Sequence, residues 1–257
     1  MTKPDLSDSI IVVSGLPRSG TSMMMNMLAS GGLELLTDGI READDDNPLG
    51  YYEYETVKQL KEGETAWVNN ARGKVVKIIS YLLPRLPEDF HYRIIFMQRE
   101  LDEVLASQRK MIVRRGENPD KIDNEKMKTI LENHLRDINA WLQEQDHIER
   151  IDMPYKEIVH DPQPYVEEIA RFLGRTLDLD SMIHTVSVMV MPSAAAAMSQ
   201  PISPSHRLRD ARNQARGFNE LQTIPDMVYN VGDHKSISPA NRETRQPSLK
   251  QLRMNPV

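Results

Sequence analysis

Residues 10–30 read IIVVSGLPRSGTSMMMNMLAS, and this stretch decides the fold. Residues 10–13 are a short apolar run suited to a buried strand. A glycine turn follows, Gly15-Leu16-Pro17-Arg18-Ser19-Gly20-Thr21-Ser22, and then an apolar helix begins. Strand, tight turn and helix N-terminus together make an anion cradle. The loop N–H groups and the positive end of the helix dipole converge on one phosphate. The chain is therefore expected to bind a phosphorylated small molecule.

The spacing is nearly that of the G-x-x-x-x-G-K-[ST] loop of nucleoside triphosphatases. Thr21 stands where that loop has its lysine, and the cation is Arg18, two residues before the second glycine. Pro17-Arg18-Ser19-Gly20-Thr21 resembles the 5′-phosphosulfate loop of sulfotransferases, which use 3′-phosphoadenosine 5′-phosphosulfate (PAPS) as donor, release PAP and need no metal. The resemblance implies that Pro17, Arg18, Ser19, Gly20, Thr21 and Ser22 hold the donor.

Residues 73–80 (GKVVKIIS), 92–97 (YRIIFM) and 148–153 (IERIDM) read as further strands, with 84–90 a loop. Residues 51–63, 101–115, 122–146 and 164–173 read as helices, the last closed by Gly174. Buried strands alternating with helices predict an α/β fold, a three-layer parallel sheet with helices on both faces.

The strand at 92–97 runs into Gln98-Arg99-Glu100, and Ser107 lies eight positions after Arg99. A triphosphatase often has a magnesium-binding aspartate at such a strand end. Arginine at a strand end with a hydroxyl on the next helix suits a second phosphate instead. RELDEVLAS resembles the R-x(7)-S 3′-phosphate site of sulfotransferases. Tyr155-Lys156-Glu157-Ile158-Val159-His160-Asp161-Pro162, with Phe172-Leu173-Gly174, resembles a third segment of that family. Most of that segment reads as architecture, and Tyr155 is open between core packing and nucleotide contact. The resemblance spans roughly residues 8–175 and implies a P-loop NTPase-like sulfotransferase fold with its nucleotide-binding core there. One departure stands out. The R-K-G-x-x-G-D-W-K loop of the cytosolic steroid and phenol enzymes is absent, so the match is nearer the divergent bacterial and tyrosylprotein-like branch. Another segment must then close the adenosine site, with Arg207, Arg209 and Arg212 as candidates.

Sulfuryl transfer needs a base for the acceptor and preorganised positive charge for the donor oxygens. Arg18 and the loop amides supply the charge. Lys77 sits where the family often has a lysine near the bridging oxygen. A lysine between Val76 and Ile78 needs an anionic partner if it turns inward and is merely solvated if it lies at the strand end. Asn47-Pro48-Leu49-Gly50-Tyr51-Tyr52-Glu53 resembles the N-P-x-G-Y-x-E of bacterial relatives, which makes Glu53 the first choice of base and Glu55 the reserve. His91 and His134 read as surface histidines. Tyr51, Tyr52 and Tyr54 suit either an acceptor mouth or core packing, and the Asp44-Asp45-Asp46 run reads as a solvated loop.

The length of 257 residues suits a single α/β domain. A net charge of −6 gives no electrostatic footprint for nucleic acid. The chain has no cysteine, hence no disulfide framework and no thiolate chemistry. Residues 1–13 lack the pattern of a secretory signal, and no run approaches the ~18 apolar residues of a membrane span. A cytoplasmic protein is expected, acting on a small-molecule, sugar or peptide acceptor, with a homo-oligomer left open. Residues 191–257 change to proline, small residues and arginines and read as a lid-like excursion and a tail. A P-loop kinase, or a nucleotide-binding protein without catalysis on the same fold, is the alternative.

Overall fold

A computed structural model describes residues 8–39, 52–114, 116–120 and 123–190. The expected lid and tail over 191–257, with Arg207, Arg209 and Arg212, lie outside the described residues, as do Tyr51, Asp44, Asp45 and Asp46.

Four strands form one parallel sheet. They are β1 (Ser9–Gly15), β2 (Val75–Lys77), β3 (His91–Gln98) and β4 (Ile148–Pro154), in the order β2-β1-β3-β4. The register pairs Val13 with Lys77 on one side of β1 and with Ile95 on the other. Every residue of β1 is buried, as a central strand covered on both faces must be. The chain leaves β1 toward β2 and later crosses to β3 on the opposite side. This reversal opens a crevice at the carboxyl end of β1, the usual ligand position in a sheet of this kind.

The alternation of side chains along the strands builds the three layers. Ile11, Val13, Ile95 and Met97 face α1 (Thr21–Ser30), α5 (Gln163–Leu173) and α6 (Leu179–Val190), meeting Met24, Ile169 and Met182. Ile10, Val12, Ile94 and Phe96 face the other way, onto Trp67, Leu83 and α3 (Asn124–Gln143). A smaller cluster at the carboxyl end joins Leu16 to Val104 of α2 (Leu101–Arg114) and Leu131 of α3. Among the described residues no helix is long and apolar enough to cross a membrane.

Local chemistry explains the helix ends. The Asp123 side chain accepts from the Lys126 N–H at 3.0 Å and starts α3. Gly174, at φ 63°, ends α5 as expected, and Arg93 of β3 reaches the same end. Its buried Nη1 donates to the Leu173 carbonyl at 2.8 Å, placing a cation at the negative end of the helix. A short helix α4 (Tyr155–His160) precedes α5.

Three expectations are corrected. Among the described residues of the helix expected over 51–63, none is α-helical; Glu55–Glu62 is 3₁₀. Its buried positions, Val57 and Leu60, are three apart, and a 3₁₀ turn stacks i on i+3. The strand expected over 73–80 is only three residues long. The Ile78 N–H still bonds Val13 at 3.0 Å, but the chain then turns into a 3₁₀ segment, Ser80–Arg85. Ile78, Leu82 and Leu83 stay in the core, so the apolar run outlasts the strand. Pro84 and Arg85, expected in a loop, belong to that turn.

Candidate functional site

The loop of residues 16–20 leaves β1 in the crevice and is tightly folded. The Ser19 N–H bonds the Leu16 carbonyl at 3.2 Å. Gly15 is at φ 142°, and a Cβ there would lie 2.7 Å from the Met97 carbonyl oxygen. Gly20 is at φ 101°, and a Cβ there would lie 2.4 Å from Cδ2 of Tyr155. Pro17 and Ser19 are buried, and the Ser19 hydroxyl has no hydrogen-bond partner. No side chain caps the N-terminus of α1, and no acidic residue lies in its first turn. The first N–H groups of a helix lack intrahelical partners, so this end, with Thr21 and Ser22 beside it, is open to an anion.

The other expected donor residues gather around this loop. Arg99 follows β3 directly and Tyr155 follows β4, so the fold brings both to the carboxyl edge of the sheet. The Arg99 guanidinium lies over the Tyr155 ring, 4.3 Å from its centroid, and its Nη1 donates to the Arg18 carbonyl at 3.0 Å. Arg99 Nε donates to Glu103 Oε2, also at 3.0 Å. Arg18 Nε donates to Ser107 Oγ at 3.0 Å. Arg18, Ser107, Arg99 and Tyr155 are thus one connected group. Within it the Ser107 hydroxyl is held by Arg18, while Arg99 holds the Arg18 backbone.

Glu53 and Lys77 come together beside the same crevice. Lys77 ends β2, and its Nζ lies 3.1 Å from Glu53 Oε1, with the two side chains only 8% and 15% exposed. Of the two alternatives for Lys77, the inward turn with an anionic partner is the one found. The Glu53 carbonyl accepts from Thr37 Oγ1 at 2.9 Å and from the Asp38 N–H at 3.3 Å, which fixes its backbone. Glu55, the reserve, pairs with Lys58 on its own 3₁₀ turn.

The two histidines part company. His91, at the start of β3, is exposed. His134 is not the surface residue expected. It is half-buried on α3, with Nε2 2.8 Å from Oγ of the fully buried Ser80. Burial of the ring lowers its pKa to about 4. The turn at Ser80 packs on α3, an approach that the sequence around His134 does not announce.

Of the tyrosines, Tyr54 packs edge-on against Trp67 with ring centroids 5.7 Å apart. Tyr52 packs against the α1 side of the sheet and donates its hydroxyl to Asn26 Oδ1 at 2.6 Å. Asn26, 7% exposed, donates in turn to the Ser22 carbonyl at 3.0 Å. Asn26 was not among the expected site residues. Its signal is a single amide in the otherwise apolar run MMMNML. Glu103, four residues after Arg99 on the next helix, is also omitted, and its signal is the i,i+4 spacing.

The chain is similar to sulfotransferase STF1 of Mycobacterium tuberculosis at 15% identity and TM-score 0.45, over 75% of this chain and 74% of that one. It is similar to the sulfotransferase domain of the Synechococcus PCC 7002 olefin synthase at 17% identity and TM-score 0.42, over 91% and 98%. A sulfotransferase from Alicyclobacillus acidocaldarius is similar at 12% identity and TM-score 0.36, over 89% and 94%. No curated protein matches the chain significantly. The family comparison covers much more than half of the sequence. Residues 8–218 match the sulfotransferase domain, and the chain belongs to that family.

Proposed function

We propose that this sulfotransferase uses PAPS as donor, needs no metal, and acts on a hydroxyl or amine of a small-molecule, sugar or peptide acceptor. The observation that carries this reading is the buried Glu53–Lys77 pair beside the loop that follows β1. A carboxylate and an ammonium, both nearly closed off from water, are the proton acceptor and the cation that a transfer needs.

The donor loop fits the group. A buried, unpartnered Ser19 hydroxyl, an uncapped α1 and glycines that admit no Cβ all favour an anion held close to the backbone. Arg18, Thr21 and Ser22 would hold the 5′-phosphosulfate; Arg99, with Ser107 and Tyr155 beside it, would hold the 3′-phosphate and nucleotide. PAPS supplies the sulfuryl group: the acceptor oxygen or nitrogen gains the bond to sulfur, the bond to the bridging oxygen breaks, and its electron pair leaves with PAP. Glu53 takes the proton from the acceptor. Lys77 neutralises charge on the leaving oxygen, and Arg18 with the loop amides neutralises the equatorial oxygens.

The test is calorimetric titration of the full chain with PAP, ADP and ATP, each with and without magnesium. Metal-independent binding that prefers PAP is expected. Binding of ATP only with magnesium would overturn the reading in favour of a kinase.

A further inference from the structure

Among the described residues, only two that are not glycine have positive φ: Arg18 at 69° and Tyr52 at 51°. For a bulky side chain this conformation is strained, and it persists only where its surroundings over-determine it. Arg18 belongs to the donor loop. Tyr52 immediately precedes Glu53, and its restraint is visible. Its hydroxyl donates to Asn26 at 2.6 Å, and its ring packs against the α1 side of the core. Asn26 cannot easily turn away, because it is buried and its amide is engaged by the Ser22 carbonyl. The chain of contacts runs from Ser22, at the donor end of α1, through Asn26 and Tyr52 to Glu53 and Lys77.

We propose that Tyr52, tethered by Asn26, is a positioning residue that sets the Glu53 carboxylate, an inference that rests on the reading of Glu53 as the base. Two independent tethers then hold the base. Thr37 and Asp38 fix its carbonyl from one side, and Tyr52 fixes the backbone entering it from the other. The strained φ at Tyr52 points the chain so that Glu53 turns inward to Lys77. A tyrosine is needed because a phenylalanine ring would fill the same space without the anchor on Asn26. Rate depends steeply on such placement, since a small displacement of a reacting group is costly.

The experiment uses the full chain with PAPS as donor and 4-nitrophenol as probe acceptor, together with release of inorganic sulfate from PAPS, where water is the acceptor. Tyr52→Phe, Glu53→Gln and the double variant are compared for kcat, KM, PAP affinity and thermal midpoint. Tyr52→Phe is expected to lower kcat by about tenfold, the scale of one lost hydrogen bond. KM and PAP affinity should stay within about twofold. Glu53→Gln should lower kcat by about a hundredfold or more. In that background Tyr52→Phe should change kcat by less than about twofold, because nothing is left to position. A wild-type kcat for Tyr52→Phe, or losses that multiply in the double variant, overturns the positioning role and leaves the base reading intact. A wild-type kcat for Glu53→Gln overturns both. Absence of turnover with both acceptors in a chain that binds PAP also overturns both.

Discussion

Lys77 Nζ and Glu53 Oε1 lie 3.1 Å apart with little of either side chain reaching water. Taking two charges out of water costs several kcal/mol each, and their mutual attraction offsets part of that cost. Each residue thus supports the burial of the other. Lys77→Met is expected to destabilise the protein by about 3–5 kcal/mol, because it removes the cation beside a buried carboxylate. Glu53→Leu with Lys77→Met should recover more than half of that loss. Urea midpoints for the single and double variants decide the matter. A loss under about 1 kcal/mol for Lys77→Met would mean that the pair is effectively solvated.

Arg99 bonds the Arg18 carbonyl, pairs with Glu103 and stacks on Tyr155, so its guanidinium is already oriented toward the loop. A charge-assisted hydrogen bond is worth about 1.5–3 kcal/mol. Arg99→Ala should weaken PAP binding by roughly ten- to over a hundredfold, while ADP, lacking the 3′-phosphate, should change much less. Arg99→Lys should recover only part of the loss, since an ammonium cannot reproduce the planar stack and fork. Calorimetry with both nucleotides checks this. Equal affinity of wild type and Arg99→Ala for PAP would remove Arg99 from the donor site.

Gly20 meets Tyr155 so closely that a methyl group would fall 2.4 Å from the ring, at a φ of 101° that other residues rarely adopt. The ring cannot retreat freely, because Arg99 covers it. Gly20→Ala should therefore cost about 1–3 kcal/mol and weaken PAP binding at least tenfold. Adding Tyr155→Ala removes the clash but leaves the backbone strain, so it should restore stability only in part. Full recovery in the double variant would show that φ at this position is unconstrained.

How much of this was legible beforehand follows from how local each signal is. The loop of residues 15–22 is contiguous, so glycines, arginine and helix start are read together, and the structure places them at one turn. Arg99 and Tyr155 each directly follow a strand of the sheet. Parallel strands deliver their carboxyl ends to the same edge. The inward turn of Lys77 was not decidable, because it depends on Glu53, 24 residues away in sequence. The Asn26–Tyr52 bond and the burial of His134 depend on contacts 26 and 54 residues apart, between elements whose packing no local pattern encodes. The 3₁₀ form of Glu55–Glu62 was missed for a related reason, since an i,i+3 pattern also fits an α-helix.

His134 supplies the pH prediction. Burial holds its pKa at about 4, against 6.5 for an unrestrained histidine. The nearby Asp137 acts in the opposite direction but does not prevail. Between these values the unfolded chain takes up a proton that the folded chain refuses. Folding stability from this residue is therefore complete above pH ~6.5, falls as the pH drops toward ~4, and levels off below. The shift bounds the loss at about 3 kcal/mol. His134→Gln removes the titration while leaving an amide for Ser80, so it should cost about 1 kcal/mol near pH 7.5 and then lose less than wild type on acidification. Urea midpoints of the two proteins at pH 7.5, 6, 5 and 4.5 give the comparison. Parallel curves would mean that His134 is solvated in the folded chain and that its contact with Ser80 does not keep it neutral.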